Sequence, residues 1–154
     1  MKICLNVGIG CGKTECEDTA VFNNTLVNDK IISLDSDAFH CVGVADGVGG
    51  NAGGRIASRY VAHQISQADF LSMTQQDIHA FVTDINSDLI NHAMAIPEKS
   101  DMATTLTCVV AAKYGYYLIH AGNTRLYVVQ GSYLKQLTVD HTTYNWLMEC
   151  DIPA

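Results

Sequence analysis

Two spacings of apolar residues alternate along this chain, and each predicts a different element. In the first third, short apolar runs at residues 2–7, 19–23, 30–33 and 39–45 are bounded by Gly, Asn and Asp and read as strands. The last of them, FHCVGVA, is almost continuously apolar, the pattern of a strand covered on both faces. It ends in Asp46 and the glycine-rich turn DGVGGNAGG. From Arg55 the period becomes helical, with Ile56, Ala57, Tyr60, Val61 and Ile65 on one stripe. A second helix opens at Thr74-Gln-Gln-Asp77, which resembles a capping box, and its stripe is Ile78, Phe81, Val82, Ile85 and Leu89. Pro97 lies just past its end. From Thr104 the strand pattern returns in TTLTCVVAA, YYLIHAG, RLYVVQ and YLKQLT, punctuated by turns at Lys113-Tyr114-Gly115 and Gly131-Ser132. Strands, two adjacent helices and a strand meander predict an α+β fold of antiparallel sheets, not the alternation of a doubly wound sheet.

Composition narrows the function. The 154 residues are enough for one domain with its own core, and 48% hydrophobic against 16% charged residues excludes a disordered chain. The net charge is −7, and the nine Lys and Arg are scattered, so no basic footprint for nucleic acid exists. No apolar run reaches membrane-span length and the start has no leader pattern, so the expectation is a cytoplasmic protein without a membrane partner. The six cysteines form no C-x-x-C pair and sit mostly in apolar runs, which suits reduced, packing thiols and argues against a zinc site. The surplus of acids suits divalent cations, or simply solubility.

Two glycine-rich stretches mimic nucleotide sites. In NVGIGCGKTECEDTAVF, Gly12-Lys13-Thr14 has the ending of a phosphate-binding loop, but Val7 stands where its first glycine belongs. Three acids and an apolar run follow, so the stretch reads as a loop entering a strand, without a helix aimed at phosphate. Gly47-Val48-Gly49-Gly50-Asn51-Ala52 fits the dinucleotide fingerprint, with Asp69 near the expected distance. That fingerprint requires a parallel strand after the first helix, and here a second helix follows. From the residues alone, Asp46 at the end of a buried strand is either a cap for the turn that follows or, with the Gly47 carbonyl, an oxygen donor for Mg²⁺ or Mn²⁺. Glu17 and Asp18, near a strand start, could converge on it.

Four separated stretches, in order and nearly at the right mutual distances, resemble the metal-dependent serine/threonine protein phosphatases of type 2C. GKTECEDTAVF resembles the opening motif of a basic residue before a Glu-Asp pair; VGVADGVGGNAGGRIAS resembles the strand, Asp-Gly-x-Gly-Gly turn and helix start. MATTLTCVV resembles the Gly-Thr-Thr-Leu strand, and LIHAGNTRLYVVQGSYLKQLTVDHT the Gly-Asp-Ser-Arg hairpin running on to Leu-Thr-x-Asp-His. The resemblance covers essentially the whole chain. It implies the front half of an α-β-β-α layered sandwich, with two helices packed on antiparallel sheet. It implies that Asp46 bridges two Mn²⁺ or Mg²⁺ ions, that Glu17 and the Gly47 main-chain oxygen are further ligands, and that Asp18 orients metal-held water. Lys13 stands where the family usually has an arginine gripping substrate phosphate; a lysine is a point charge without the bidentate fork, and the alternative is a solvated loop charge. The implied activity is hydrolysis of phosphoserine and phosphothreonine by a metal-bridging water, on protein substrates of a cognate serine/threonine kinase.

The sequence also departs from that pattern. Val48 stands where some members have a histidine, Ala103 replaces the glycine before Thr-Thr, and Asn123 replaces an aspartate that helps hold a third metal in some members. The family's later Ser-Asp-Gly and Asp-Asn motifs have no counterpart before the end at NWLMECDIPA, where Glu149 and Asp151 are the only acids after Asp140. Residues 1–154 are therefore expected to be a type 2C-like domain truncated at its C-terminus, weakly active or inactive alone and prone to self-association through exposed sheet edges. The alternative is a catalytically incomplete relative acting as a phosphoprotein-binding or regulatory module.

Overall fold

A six-stranded antiparallel sheet carries helices on one face and a smaller sheet on part of the other. The computed structural model describes residues 1–48, 53–97 and 101–149; residues 49–52 of the glycine-rich turn, with Cys150 and Asp151, lie outside the described residues. The elements run β1 (Lys2–Val7), β2 (Asp18–Phe22), β3 (Thr25–Val27), β4 (Lys30–Asp35), β5 (Cys41–Val48), α1 (Gly53–Gln67), a 3-10 turn (Phe70–Ser72) and α2 (Gln75–Ala95). They continue with β6 (Ala103–Thr104), β7 (Leu106–Ala112), β8 (Gly115–Ala121), β9 (Tyr127–Gln130), β10 (Tyr133–Gln136) and α3 (Thr143–Glu149). The main sheet has the order β3-β2-β5-β7-β8, with β6 also pairing β5. β1 pairs with β4, and β9 with β10, as separate two-stranded sheets.

Because side chains alternate along a strand, each residue's parity decides its layer. Val21, Cys41, Leu106, Cys108, Val110 and Ile119 point to the helices and join Ala57, Val61, Ile65, Phe70, Ile78, Ile85 and Leu89 in the larger core. Ala20 and Phe22 point the other way, into a second core with Leu5 and Val7 of β1 and Val27. The layers are thus α, β and β. Thr74 caps α2 as expected: its side chain accepts from Asp77 N–H, and the Asp77 carboxylate accepts from Thr74 N–H at 2.8 Å.

Several expectations need correction. β5 is not covered on both faces throughout: Val42 lies under the β1–β4 layer, but Val44 is 41% exposed. The same strand runs through Asp46 to Val48, so Asp46 stands inside a ladder and not in the turn beyond it. β2 starts one residue early, at Asp18; the short β3 is unpredicted; α1 begins at Gly53, before Arg55; and the stripe residue Ile56 is exposed. A third helix, α3, joins the two predicted packed helices. Cys16, Cys41 and Cys108 are buried free thiols, whereas Cys4 and Cys11 are exposed. Among the described residues no helix is long and apolar enough to cross a membrane.

Candidate active site

The site begins with a register. In the β2–β5 ladder, Asp18 lies opposite Asp46, so the two carboxylates are cross-strand neighbours on the face turned away from the helices. Burial, together with the facing Asp46 carboxylate and its charge, pushes the Asp18 carboxyl up to about 6. A cleft of about 480 Å³ opens there, bordered by Asn6, Val7, Val44 and Thr124 as well as the two aspartates.

One residue along, the chain turns to the helix side. Gly47 meets the start of α1 so closely that an added Cβ would stand 2.2 Å from Gly54 O and 2.5 Å from Glu17 O. A Cβ on Gly54 would in turn stand 2.8 Å from Glu17 Oε1 and 2.9 Å from Gly47 O. Two glycines therefore let the Glu17 carboxylate and the Gly47 carbonyl oxygen gather at one point of the helix start. Ser58 of α1 pins that edge, donating to Glu17 O at 2.5 Å and lying 3.1 Å from Thr19 Oγ1. On the other side Asn28 donates to Asp18 O at 2.8 Å.

Lys13 sits at the mouth. The turn from Gly10 is closed by Lys13 N–H to Gly10 O at 3.0 Å, and Gly12 takes φ +78°, a conformation that favours glycine. Lys13 Nζ lies 3.0 Å from Glu17 Oε2, and that carboxylate, with Asp18 and Asp46 beyond it, holds the ammonium above its ordinary pKa. Lys13, Glu17, Asp18, Asp46 and Gly47 all border one hollow of about 200 Å³. The five residues singled out from the sequence are thus brought together, with Asp18 and Asp46 common to the hollow and the larger cleft. Neither Asn123 nor Asp140 borders the hollow or the cleft, and Asp140 accepts a forked pair from Arg125, the shorter bond being 2.6 Å, which holds the carboxyl below its usual range.

Whether these residues suit a divalent cation depends on donor chemistry. Among the described residues no three His, Cys, Asp or Glu side chains gather closely enough to hold a metal ion by themselves. The donors form two pairs instead, Asp18 with Asp46 and Glu17 with the Gly47 main-chain oxygen. All are hard oxygens, three of them carboxylates, which fits Mg²⁺ or Mn²⁺ in donor type. Sequence reasoning missed Ser58 and Gly54, and also Thr105, Thr107, Thr124 and His120 on the cleft side. The signal available was hydroxyls two apart, Thr105 and Thr107, in an otherwise apolar strand.

Comparison with known proteins identifies the lineage of this arrangement. Residues 18–145 match the family described as Protein phosphatase 2C. The chain belongs to that family. It is 29% identical over 112 residues to serine/threonine phosphatase stp of Listeria welshimeri, a match covering 68% of this chain and 44% of that protein. It is 29% identical over 113 residues to the serine/threonine protein phosphatase PstP of Mycobacterium tuberculosis, covering 69% of this chain and 21% of that one. In fold it resembles the crystal structure of the catalytic domain of PstP in complex with 2 manganese ions, with TM-score 0.71 at 23% identity, covering 100% of this chain and 61% of that chain. This chain therefore spans less than two thirds of each of these relatives.

Proposed function

We propose that the chain carries the front half of a type 2C domain, a metal-dependent protein serine/threonine phosphatase, with Glu17, Asp46 and the Gly47 main-chain oxygen as ligands of Mn²⁺ or Mg²⁺. The observation that carries this reading is the meeting of four oxygen donors and one ammonium group at the β2–β5 edge of a chain of this family. When bound, two such ions supply positive charge for the phosphoryl oxygens and acidify a water molecule. The rest is done by the chain. Asp46 borders both hollows beside Asp18 and is the residue directly before Gly47, which supports its carboxylate as the ligand the two ions would have in common. Asp18, opposite Asp46 in the ladder, acts as the acceptor that orients the attacking water. Lys13 draws the dianionic phosphoryl group to the mouth as a point charge, exchanging its contact with Glu17 for one with substrate. The substrates are phosphoserine and phosphothreonine proteins of a cognate kinase, in the cytoplasm. The exposed apolar residues of β9 and β10, Val129, Tyr133 and Leu134, support self-association.

The scarcity of converging side-chain ligands favours a second reading, a phosphoprotein-binding or regulatory module. The test is phosphate release from a phosphothreonine peptide, with and without Mn²⁺, alongside binding of the same peptide. Slow, Mn²⁺-dependent release that Asp46→Asn lowers about a hundredfold or more supports the phosphatase. Lys13→Ala should chiefly raise KM, and Asn123→Ala should matter less than either. Peptide bound without release supports the module, and near-normal release by Asp46→Asn would overturn the assignment of Asp46 as a metal ligand.

A further inference from the structure

β2 outruns its neighbour on one side. β3 pairs with Ala20, Val21 and Phe22 and ends at Val27, so Asp18 and Thr19 extend past it, and the chain then turns through Asp29 at φ +46°. Beyond the end of β3 stands the side chain of Asn28, from the turn between β3 and β4. Its Nδ2 donates to Asp18 O at 2.8 Å and to Thr19 Oγ1 at 2.6 Å, so both amide protons go to the two residues that β3 leaves unpaired. A main-chain oxygen can only accept, which fixes the direction of the Asp18 bond and the end of the Asn28 amide that faces β2. From the helix layer, the fully buried Ser58 donates to Glu17 O at 2.5 Å; its other acceptor, Arg55 O in its own helix, lies farther away at 3.3 Å.

These two bonds have a joint consequence. The carbonyls of Glu17 and Asp18 belong to the two peptide planes that flank the Asp18 Cα. Because each plane is rigid, holding both fixes φ and ψ at Asp18 and with them the direction of its Cβ. The site needs that direction. Glu17 and Asp18 are consecutive, yet the Glu17 carboxylate lies beside Gly54 and the Gly47 oxygen, while Asp18 lies across the ladder from Asp46. The ladder with β5 begins only at Asp18 and restrains it along one edge of β2. Asn28 supplies the other edge. It borders neither the hollow nor the cleft, so any effect it has on the site passes through the Asp18 backbone.

We infer that Asn28 is a positioning residue for Asp18: its side-chain amide takes the place of the strand that β3 does not supply and holds the peptide after Asp18, while Ser58 holds the one before it. Its consequence for catalysis rests on the phosphatase reading; its consequence for the Asp18 backbone does not. The test uses Asn28→Leu, close in shape but without donors, and Asn28→Ala, each in the full chain. Without metal, amide hydrogen exchange by NMR reads the Thr19 N–H, which lies in the same peptide plane as Asp18 O. It should lose protection by about fivefold to tenfold in both variants, the scale of one lost hydrogen bond. Residue 28 is not a sequence neighbour of Thr19, so the intrinsic exchange rate is unchanged. Val21, which pairs with both β3 and β5, is the control on the same strand and should keep its protection. With Mn²⁺ and a phosphothreonine peptide, both variants should lose about tenfold in kcat with KM within about twofold, as for an interaction that acts in the transition state. Asp77→Ala, at the distant cap of α2, should lower Tm without that loss in kcat, which separates position from stability. Thr19 protection unchanged in both variants would overturn the inference, as would an equal loss at Val21, and as would unchanged kcat in a chain that releases phosphate. If the parent releases no phosphate, the phosphatase reading fails and the Thr19 amide still decides what Asn28 holds.

Discussion

Toward α1 and α2, β5 presents Cys41 and Ala45 at 2% and 1% exposure; toward the cleft the same strand presents Val44 at 41% and the Asp46 carboxylate. β7 repeats the contrast, with Cys108 and Val110 in the helix-side core and Thr107 in contact with Thr124. The helix-side face therefore carries the larger core, and the cleft end of the other face carries groups that are costly to bury unpaired. A strand can divide its labour in this way because its side-chain period is two.

The two faces should respond very differently to substitution. On the helix side Phe70 is 1% exposed and meets Phe81 edge-on at 5.7 Å, so Phe70→Ala should cost about 3–5 kcal/mol in urea unfolding. Val44→Ser on the cleft face should stay within about 0.5 kcal/mol. Similar losses for both would break the contrast.

Next in size is Gly47→Ala at the seam between the faces. Its Cβ has backbone in the way, at Gly54 O and Glu17 O, so strand and helix must part. A loss of roughly 1–3 kcal/mol is expected, with Glu17 displaced and Lys13 released from it. A stability near that of the parent would show that the seam opens freely.

A smaller effect belongs to the end of α2. Thr74 N–H and hydroxyl hold the Asp77 carboxyl below its ordinary pKa. A depressed carboxyl contributes stability above its unfolded value and loses it as the pH falls through the folded one. Asp77→Ala should therefore lower Tm at neutral pH by a few degrees, on the order of 3 °C. The difference from the parent should vanish in acid, below the depressed value. A pH-independent difference would assign the effect to helix propensity instead.

The smallest stability change is expected from metal. With one carboxylate pair and one carboxylate–carbonyl pair as donors, Mn²⁺ should bind the 154-residue chain weakly. At about 1 mM it should raise Tm by no more than about 2 °C. Micromolar binding by calorimetry would mean that other acids, such as Asp35, Asp37 or Asp140, complete a site.

The residues of the candidate site were legible one at a time and the geometry between them was not. Glu17, Asp18, Asp46, Gly47 and Lys13 stand in motifs whose order carries the family resemblance, so type and position were readable. That Asp18 faces Asp46 required the β2–β5 register, because a shift of one residue would send the carboxylates to opposite faces. The capping box of α2 was readable because both partners lie within four residues. The contacts of the Thr105, Thr107 and Thr124 hydroxyls with one another, and of Thr107 with His120, were not, since they join the break before β7, β7, β8 and the loop after β8. β3 escaped notice because three residues carry too little period, and the exposed Val44 because an apolar run does not say which faces are covered.

By itself, then, the sequence determined the succession of strands and helices, the antiparallel α+β class and the acidic, oxygen-rich chemistry of the site, because these depend on local period and residue type. The tertiary structure alone decided which strand face lies under the helices, that the two aspartates face each other across the ladder, and that Gly47 and Gly54 touch. Those facts depend on register and close approach between segments far apart in the chain, such as Ser58 on Glu17 at a separation of 41 residues, and such contacts are set by packing and not by any local pattern.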